Sequence, residues 1–140
     1  MGDAVLGIFG VPVYRKDHVE RAVRAAIYLQ NELKKANIND NKLLASIGIG
    51  IDSGVVVSGN IGSQVKMEYT VIGDSVNVAS RLNGLAGPGE VIISNTVYEQ
   101  IKGMIEVEAL PLQEIKGKSE PVEIFKVLRI EERRHVYIDG

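Results

Sequence analysis

Cysteine is missing from all 140 residues. That excludes disulfides, thiolate nucleophiles and zinc-thiolate sites, and it is compatible with a cytoplasmic location. Aromatic residues make up only 5% of the chain, too few for a base-stacking platform. Charge of one sign is also lacking: 16 Lys and Arg against 18 Asp and Glu leave a formal net charge of −2. With no broad basic field to follow a phosphodiester backbone, nucleic acid is not an expected partner. No apolar run has the length needed to span a bilayer, and the N-terminus shows neither a secretory apolar region nor a basic targeting helix. Any membrane association is therefore expected only through domains outside this chain.

What is present suits one packed domain. Hydrophobic residues reach 45%, enough for a single core. Ala4 to Gly10 reads as a buried strand. Such an abrupt entry into a core strand suggests an N-terminal truncation. Asp17 and Glu20 have the spacing of a capping box. Val19, Ala22, Val23, Ala26, Ile27, Gln30 and Leu33 then follow at helical spacing, predicting an amphipathic helix to about Lys35 and a loop from Asn37 to Asn41. A strand is expected at Leu43 to Ile51, then extended chain at Val55 to Val57 and Gly59 to Gly62, with Met67 to Ile72 as the returning strand of a long hairpin. Further strands are expected at Glu90 to Ile93, Ile105 to Glu108, and on both sides of Lys116-Gly-Lys118, ending at Val122 to Leu128. Short helices are expected at Ser75 to Leu85 and from a Ser94 cap to Ile101. Strands interleaved with a few helices give an α+β fold, a mixed and mainly antiparallel sheet with helices packed against it. Residues 129–140 read as a charged exit segment after a domain spanning 1–128.

The chemistry-bearing residues are few. Asn77 and Arg81 are one helical turn apart and share a face, while Val78, Leu82 and Leu85 mark an apolar one. The polar pair reads either as a solvated surface or as a phosphate- or ribose-binding pair, since an amide beside a guanidinium suits such oxygens. A helix that starts just after Gly73 also directs its N-terminal dipole toward any anion there. Asp3 is a turn residue or a hard-cation ligand. Gly48-Ile-Gly50 with Gly54 lacks the strand-then-helix context of a dinucleotide fingerprint. Lys116-Gly-Lys118 has the form of a basic hairpin tip. Glu68, Asp74 and Asp52 supply carboxylates with no shared role visible in the sequence.

Together these segments resemble the catalytic domain of class III nucleotidyl (adenylyl/guanylyl) cyclases. The resemblance rests above all on Glu68-Tyr-Thr-Val-Ile-Gly-Asp-Ser-Val-Asn-Val-Ala-Ser-Arg-Leu82. It is supported by Gly2-Asp3 with Phe9-Gly10, by Gly48-Ile-Gly-Ile-Asp-Ser-Gly54, by Gly59-Asn-Ile-Gly-Ser63 and by Lys116-Gly-Lys118, and it runs from residue 2 to about residue 128. It implies a ferredoxin-like-derived sheet and conversion of ATP to 3′,5′-cyclic AMP and pyrophosphate in intracellular signalling. It implies two Mg²⁺ or Mn²⁺ ions with Asp3 as one ligand, and Asn77 on the ribose. Arg81 is placed on the α-phosphate, Lys116 on the terminal phosphates and Thr70 on the base. Threonine at position 70 is similar to the bicarbonate-responsive adenylyl subclass. A homodimer with the site at the subunit interface is implied as well, with the Ser63 to Glu68 hairpin reaching the partner. A guanylyl cyclase and a non-catalytic cyclase-homology or dimerisation module are the alternatives.

The family's first strand with its metal aspartate, its first helices and its base-reading lysine have no counterpart in these residues, so dimer geometry in the fragment is open to swapping. The expected outcome is that the isolated 140-residue chain, purified and given ATP with manganese, forms no cyclic AMP. Robust turnover would overturn that expectation.

Overall fold

The computed structural model describes residues 6–7, 9–10, 16–40, 47–54, 57–62, 67–72, 74–115 and 117–132, with the backbone alone given for 37–40, 57–62 and 67–72. Its helices are α1 (His18–Asp40), α2 (Asp74–Leu85) and α3 (Asn95–Ile101). Its strands are β1 (Ile49–Ile51), β2 (Val57–Gly62), β3 (Met67–Ile72), β4 (Val91–Ser94), β5 (Ile105–Ala109) and β6 (Ile124–Ile130). Four strands form one sheet in the order β1-β4-β6-β5, and β2 pairs with β3 in a separate hairpin. Among the described residues the β1–β4 pairing is parallel, and β4–β6 and β5–β6 are antiparallel. The expected mixed, mainly antiparallel α+β architecture is what forms. No helix among the described residues is long and apolar enough to cross a membrane.

Strand β4 explains the layering. Side chains on a strand alternate between faces, and all four of its residues are buried. Val91 and Ile93 join Val19, Val23 and Ala26 of α1 and Val97 and Ile101 of α3 in one core cluster. Ile92 faces the other way, into a second cluster with Val78 and Leu82 of α2, Ile115 and Ile124. The sheet is thus sandwiched, with α1 and α3 on one face and α2 on the other. Tyr98 stacks on Phe125 at 4.4 Å between ring centroids and locks α3 to β6. Deleting a side chain such as the fully buried Leu82 would cost about 2–5 kcal/mol.

Several boundaries differ from expectation. Leu6, Gly7, Phe9 and Gly10 are not in a strand, and Leu6 and Phe9 are 54% and 42% exposed. The remainder of Ala4 to Gly10 lies outside the described residues. Helix α1 continues to Asp40 because nothing from Ala36 to Asp40 is Gly or Pro, and Asn and Asp only weaken a helix already propagating. Asp17 Oδ2 accepts from Arg21 Nε at 3.1 Å and Glu20 Oε2 from Arg24 Nε at 2.7 Å, each one turn further along the helix. Strand β1 has three residues; Leu43 to Ser46 lie outside the described residues, and Ile47 and Gly48 are irregular. The strand expected before Lys116 reduces to an isolated bridge between Gln113 and Val122. Pro111 lacks the N–H a continuous ladder needs.

Gly48 and Gly50 set the distance between α2 and the sheet. A Cβ on Gly50 would sit 2.6 Å from Ala79 O and 2.7 Å from Leu82 C, and closer still to Asn83 N. One on Gly48 would meet the carbonyl of Ala86 and lie 2.8 Å from its Cβ. Asn83 Nδ2 donates to Gly48 O at 2.6 Å across the same contact. The helix backbone therefore lies where side chains would otherwise be. Gly50→Ala is expected to destabilise the fold by about 2–3 kcal/mol, because backbone must move to admit the methyl. Gly84→Ala, within α2 but facing open space, is expected to be neutral or to stabilise by about 0.5 kcal/mol through helix propensity. Urea denaturation of the two variants checks the contrast.

Candidate functional site

Helix α2 carries two of the candidate residues, Asn77 and Arg81. Its apolar stripe is fixed first: Val78 is 3% exposed and Leu82 fully buried. Asn77 and Arg81 are then exposed on the other side, with Cβ atoms about 5–6 Å apart as expected for one helical turn. The expected division of α2 into a polar and an apolar face is what the fold contains.

Thr70 sits on β3 opposite Gly59 of β2 in an antiparallel register that runs from Val57–Ile72 to Gly62–Met67. Strand β3 ends at Ile72 and α2 begins at Asp74. The hairpin thus feeds directly into the helix and brings the Thr70 backbone to the N-terminal end of α2. Asp3 and Lys116 lie outside the described residues. The turn residue Gly117 has φ +93°, a left-handed conformation that favours glycine.

The electrostatics of α2 are less simple than its dipole suggests. Asp74 is exposed in the first turn, and Asp52 Oδ2 accepts from Ser75 Oγ at 2.9 Å. Two carboxylates therefore already complement the positive end of the helix. The dipole's pull on an incoming anion is offset there, and the positive charge the α2 polar face offers a phosphate is the Arg81 guanidinium, always protonated.

Asp52 is the residue that sequence reasoning left without a role. It follows β1 directly and binds on both sides. Its Oδ1 accepts from Ser94 Oγ at 2.5 Å. Ser94 is 2% exposed and also caps α3 as expected, accepting from Val97 N at 3.3 Å. The signal was limited to a lone Asp before a bend, and its partners are 23 and 42 residues away in sequence. Gln30 was likewise read only as part of a helix face. Its Nε2 donates to Ile47 O at 2.9 Å and Glu90 O at 3.0 Å, bracing the approach to β1.

Among the described residues no group of three or more His, Cys, Asp or Glu side chains is arranged to hold a metal ion. The described residues alone do not fit a two-metal centre.

Comparison with known proteins supplies the wider frame. Residues 1–128 match the family model described as adenylate and guanylate cyclase catalytic domain. Adenylate cyclase 1 of Rhizobium meliloti (strain 1021) is 31% identical over 138 residues, covering 92% of this chain and 20% of that protein. The chain thus spans about a fifth of that curated relative. The crystal structure of the adenylyl cyclase CyaB from P. aeruginosa superposes with a TM-score of 0.76 at 32% identity, covering 92% of this chain and 68% of the other. The guanylate cyclase domain of RhGC from Catenaria anguillulae, solved in complex with GTP, also gives a TM-score of 0.76, at 28% identity, covering 88% of this chain and 66% of that one.

Proposed function

Because the chain belongs to the adenylate and guanylate cyclase catalytic domain family, we propose that it carries the nucleotide-contacting half of an adenylate cyclase site. The reaction joins the ribose 3′-oxygen of ATP to the α-phosphorus, breaks the bond from that phosphorus to pyrophosphate, and releases the 3′-hydroxyl proton. Positioning and charge stabilisation do most of the work in such phosphoryl chemistry. The observation that carries the reading is Asn77 and Arg81 presented together on the exposed side of a helix whose other side is pinned to the core.

In this reading Arg81 meets the negative charge that grows on the α-phosphate oxygens. Its guanidinium donates in a planar fork that matches them. Asn77, one turn earlier, orients the ribose. Thr70 contacts the adenine edge, where a hydroxyl that both donates and accepts is a tolerant partner. Lys116 holds the terminal phosphates. Asp3 is one carboxylate for the divalent ions, which when bound supply Lewis acidity to the reacting oxygens. The half-site is completed by a second copy in a head-to-tail homodimer, so that one copy gives Asp3 and the other gives Thr70, Asn77 and Arg81. The adenylate cyclase relative and the GTP-bound neighbour lie on opposite sides of the substrate question, and threonine at position 70 favours ATP.

The test is a cyclase assay of the full-length protein with manganese and either ATP or GTP. Cyclic AMP is the expected product. Arg81→Ala is expected to lower kcat by about 10²–10³-fold, the usual loss when one preorganised charge donor is removed. Asn77→Ala is expected to lower kcat as well. Mixing the Asp3→Ala and Arg81→Ala proteins is expected to recover activity that neither has alone. Cyclic GMP as the main product would transfer the proposal to guanylate cyclase, and wild-type turnover by Arg81→Ala would end it.

A further inference from the structure

We propose that Asp52 is a positioning residue for the cyclase reaction, its carboxylate tying the first turn of α2 to the β4–α3 junction and so setting where Asn77 and Arg81 meet the nucleotide. The inference rests on the reading of α2 as the helix that touches substrate.

The contacts of α2 with the sheet are unevenly distributed. The glycine strip engages Ala79 at the middle of the helix and Leu82, Asn83 and Ala86 in or just beyond its C-terminal half, none of them in the first turn. The hydrogen bond from Asn83 to Gly48 O is there too. Toward the N-terminal end the core contact is Val78, and apolar packing is non-directional. The directional tie at that end is Ser75 Oγ donating to Asp52 Oδ2 at 2.9 Å. Ser75 is two residues before Asn77, so a rotation of the first turn moves Asn77 directly and Arg81 one turn later.

Asp52 is itself held from the other side. Ser94 Oγ donates to Oδ1 at 2.5 Å, and Ser94 is buried at the point where β4 becomes α3. Gly54 adds a steric limit, since a Cβ there would stand 3.0 Å from Ser75 Oγ. The carboxylate's two oxygens therefore serve two different elements. An amide can copy that pattern, because a serine hydroxyl donates to one end and accepts from the other. Alanine cannot. Charge alone predicts the reverse trend, since losing a carboxylate beside a helix N-terminus leaves more dipole for the nucleotide's phosphates.

The experiment compares kcat and KM for manganese-ATP in the full-length protein, well below the melting temperature of each variant. Asp52→Ala is expected to lower kcat about ten- to a hundredfold, the scale of an ångström-sized misplacement, with a smaller change in KM. Asp52→Asn is expected to restore most of the rate. Ser75→Ala removes only the α2 arm, is expected to reproduce the loss, and decides the matter if Asp52→Ala fails to fold. In an Arg81→Ala background, Asp52→Ala is expected to cost much less than it does alone. An additive loss, within about twofold, would assign Asp52 to fold stability and overturn the proposal. So would an unchanged kcat in both Asp52→Ala and Ser75→Ala, or no rescue by asparagine. If Arg81→Ala itself leaves kcat unchanged, it is the reading of α2 that fails, and the positioning role falls with it.

Discussion

A helix can lie backbone-to-backbone on a strand only where the strand carries no side chains. Gly48 and Gly50 provide that strip, and the backbone from Ala79 of α2 to Ala86, just beyond the helix, occupies it. The rest of the candidate site follows from this close approach. It drives Leu82 fully into the cluster with Ile92, Ile115 and Ile124. Helical geometry then leaves Asn77 and Arg81 no choice of side. A larger residue in the strip would push the helix outward and carry both polar side chains with it. Glycine here serves packing, which is why its spacing resembled a dinucleotide fingerprint without the context of one.

The same geometry decides where positive charge comes from. A helix N-terminus is a ready anion site when its end is unopposed. Here Asp74 in the first turn and Asp52 on Ser75 oppose it. A phosphate approaching α2 is drawn by Arg81 on its exposed face rather than by the helix end. Arg81 is also the better instrument for a reaction in which charge develops at the α-phosphate. A guanidinium presents several N–H donors to the oxygens on which that charge grows, and donors aimed there interact more strongly with the transition state than with the ground state. Only the difference between the two accelerates the step.

Legibility in the sequence depended on how local the determining physics is. The polar and apolar sides of α2, the Ser94 cap of α3 and the β2–β3 hairpin are set by residues within a few positions of one another, and each was readable. The mixed sheet was readable as a class. The start and length of β1, the fate of Leu6 to Gly10, and the single bridge in place of a strand at Gln113 were not. Those depend on which edges find partners, and pairing over long sequence separations leaves no periodic trace. The end of α1 was misjudged for a milder reason: Asn and Asp near Asp40 are weak stop signals beside the Gly and Pro that end the segment after α2.

The network around Asp52 shows how the two scales combine. An aspartate before a serine and a glycine looks like turn chemistry in the sequence. Only the fold brings Ser75 and Ser94 to its two oxygens. Once they are there, the carboxylate becomes the meeting point of a strand end, a helix start and a helix cap. A hydrogen bond to a charged group contributes about 1.5–3 kcal/mol, comparable with the burial of one core side chain, but it has a direction that burial lacks. The glycine strip sets how far α2 stands from the sheet, and the Asp52 network sets its rotation at the end nearest Asn77. Those are the two degrees of freedom that must be fixed before a polar helix face can act as half of an active site.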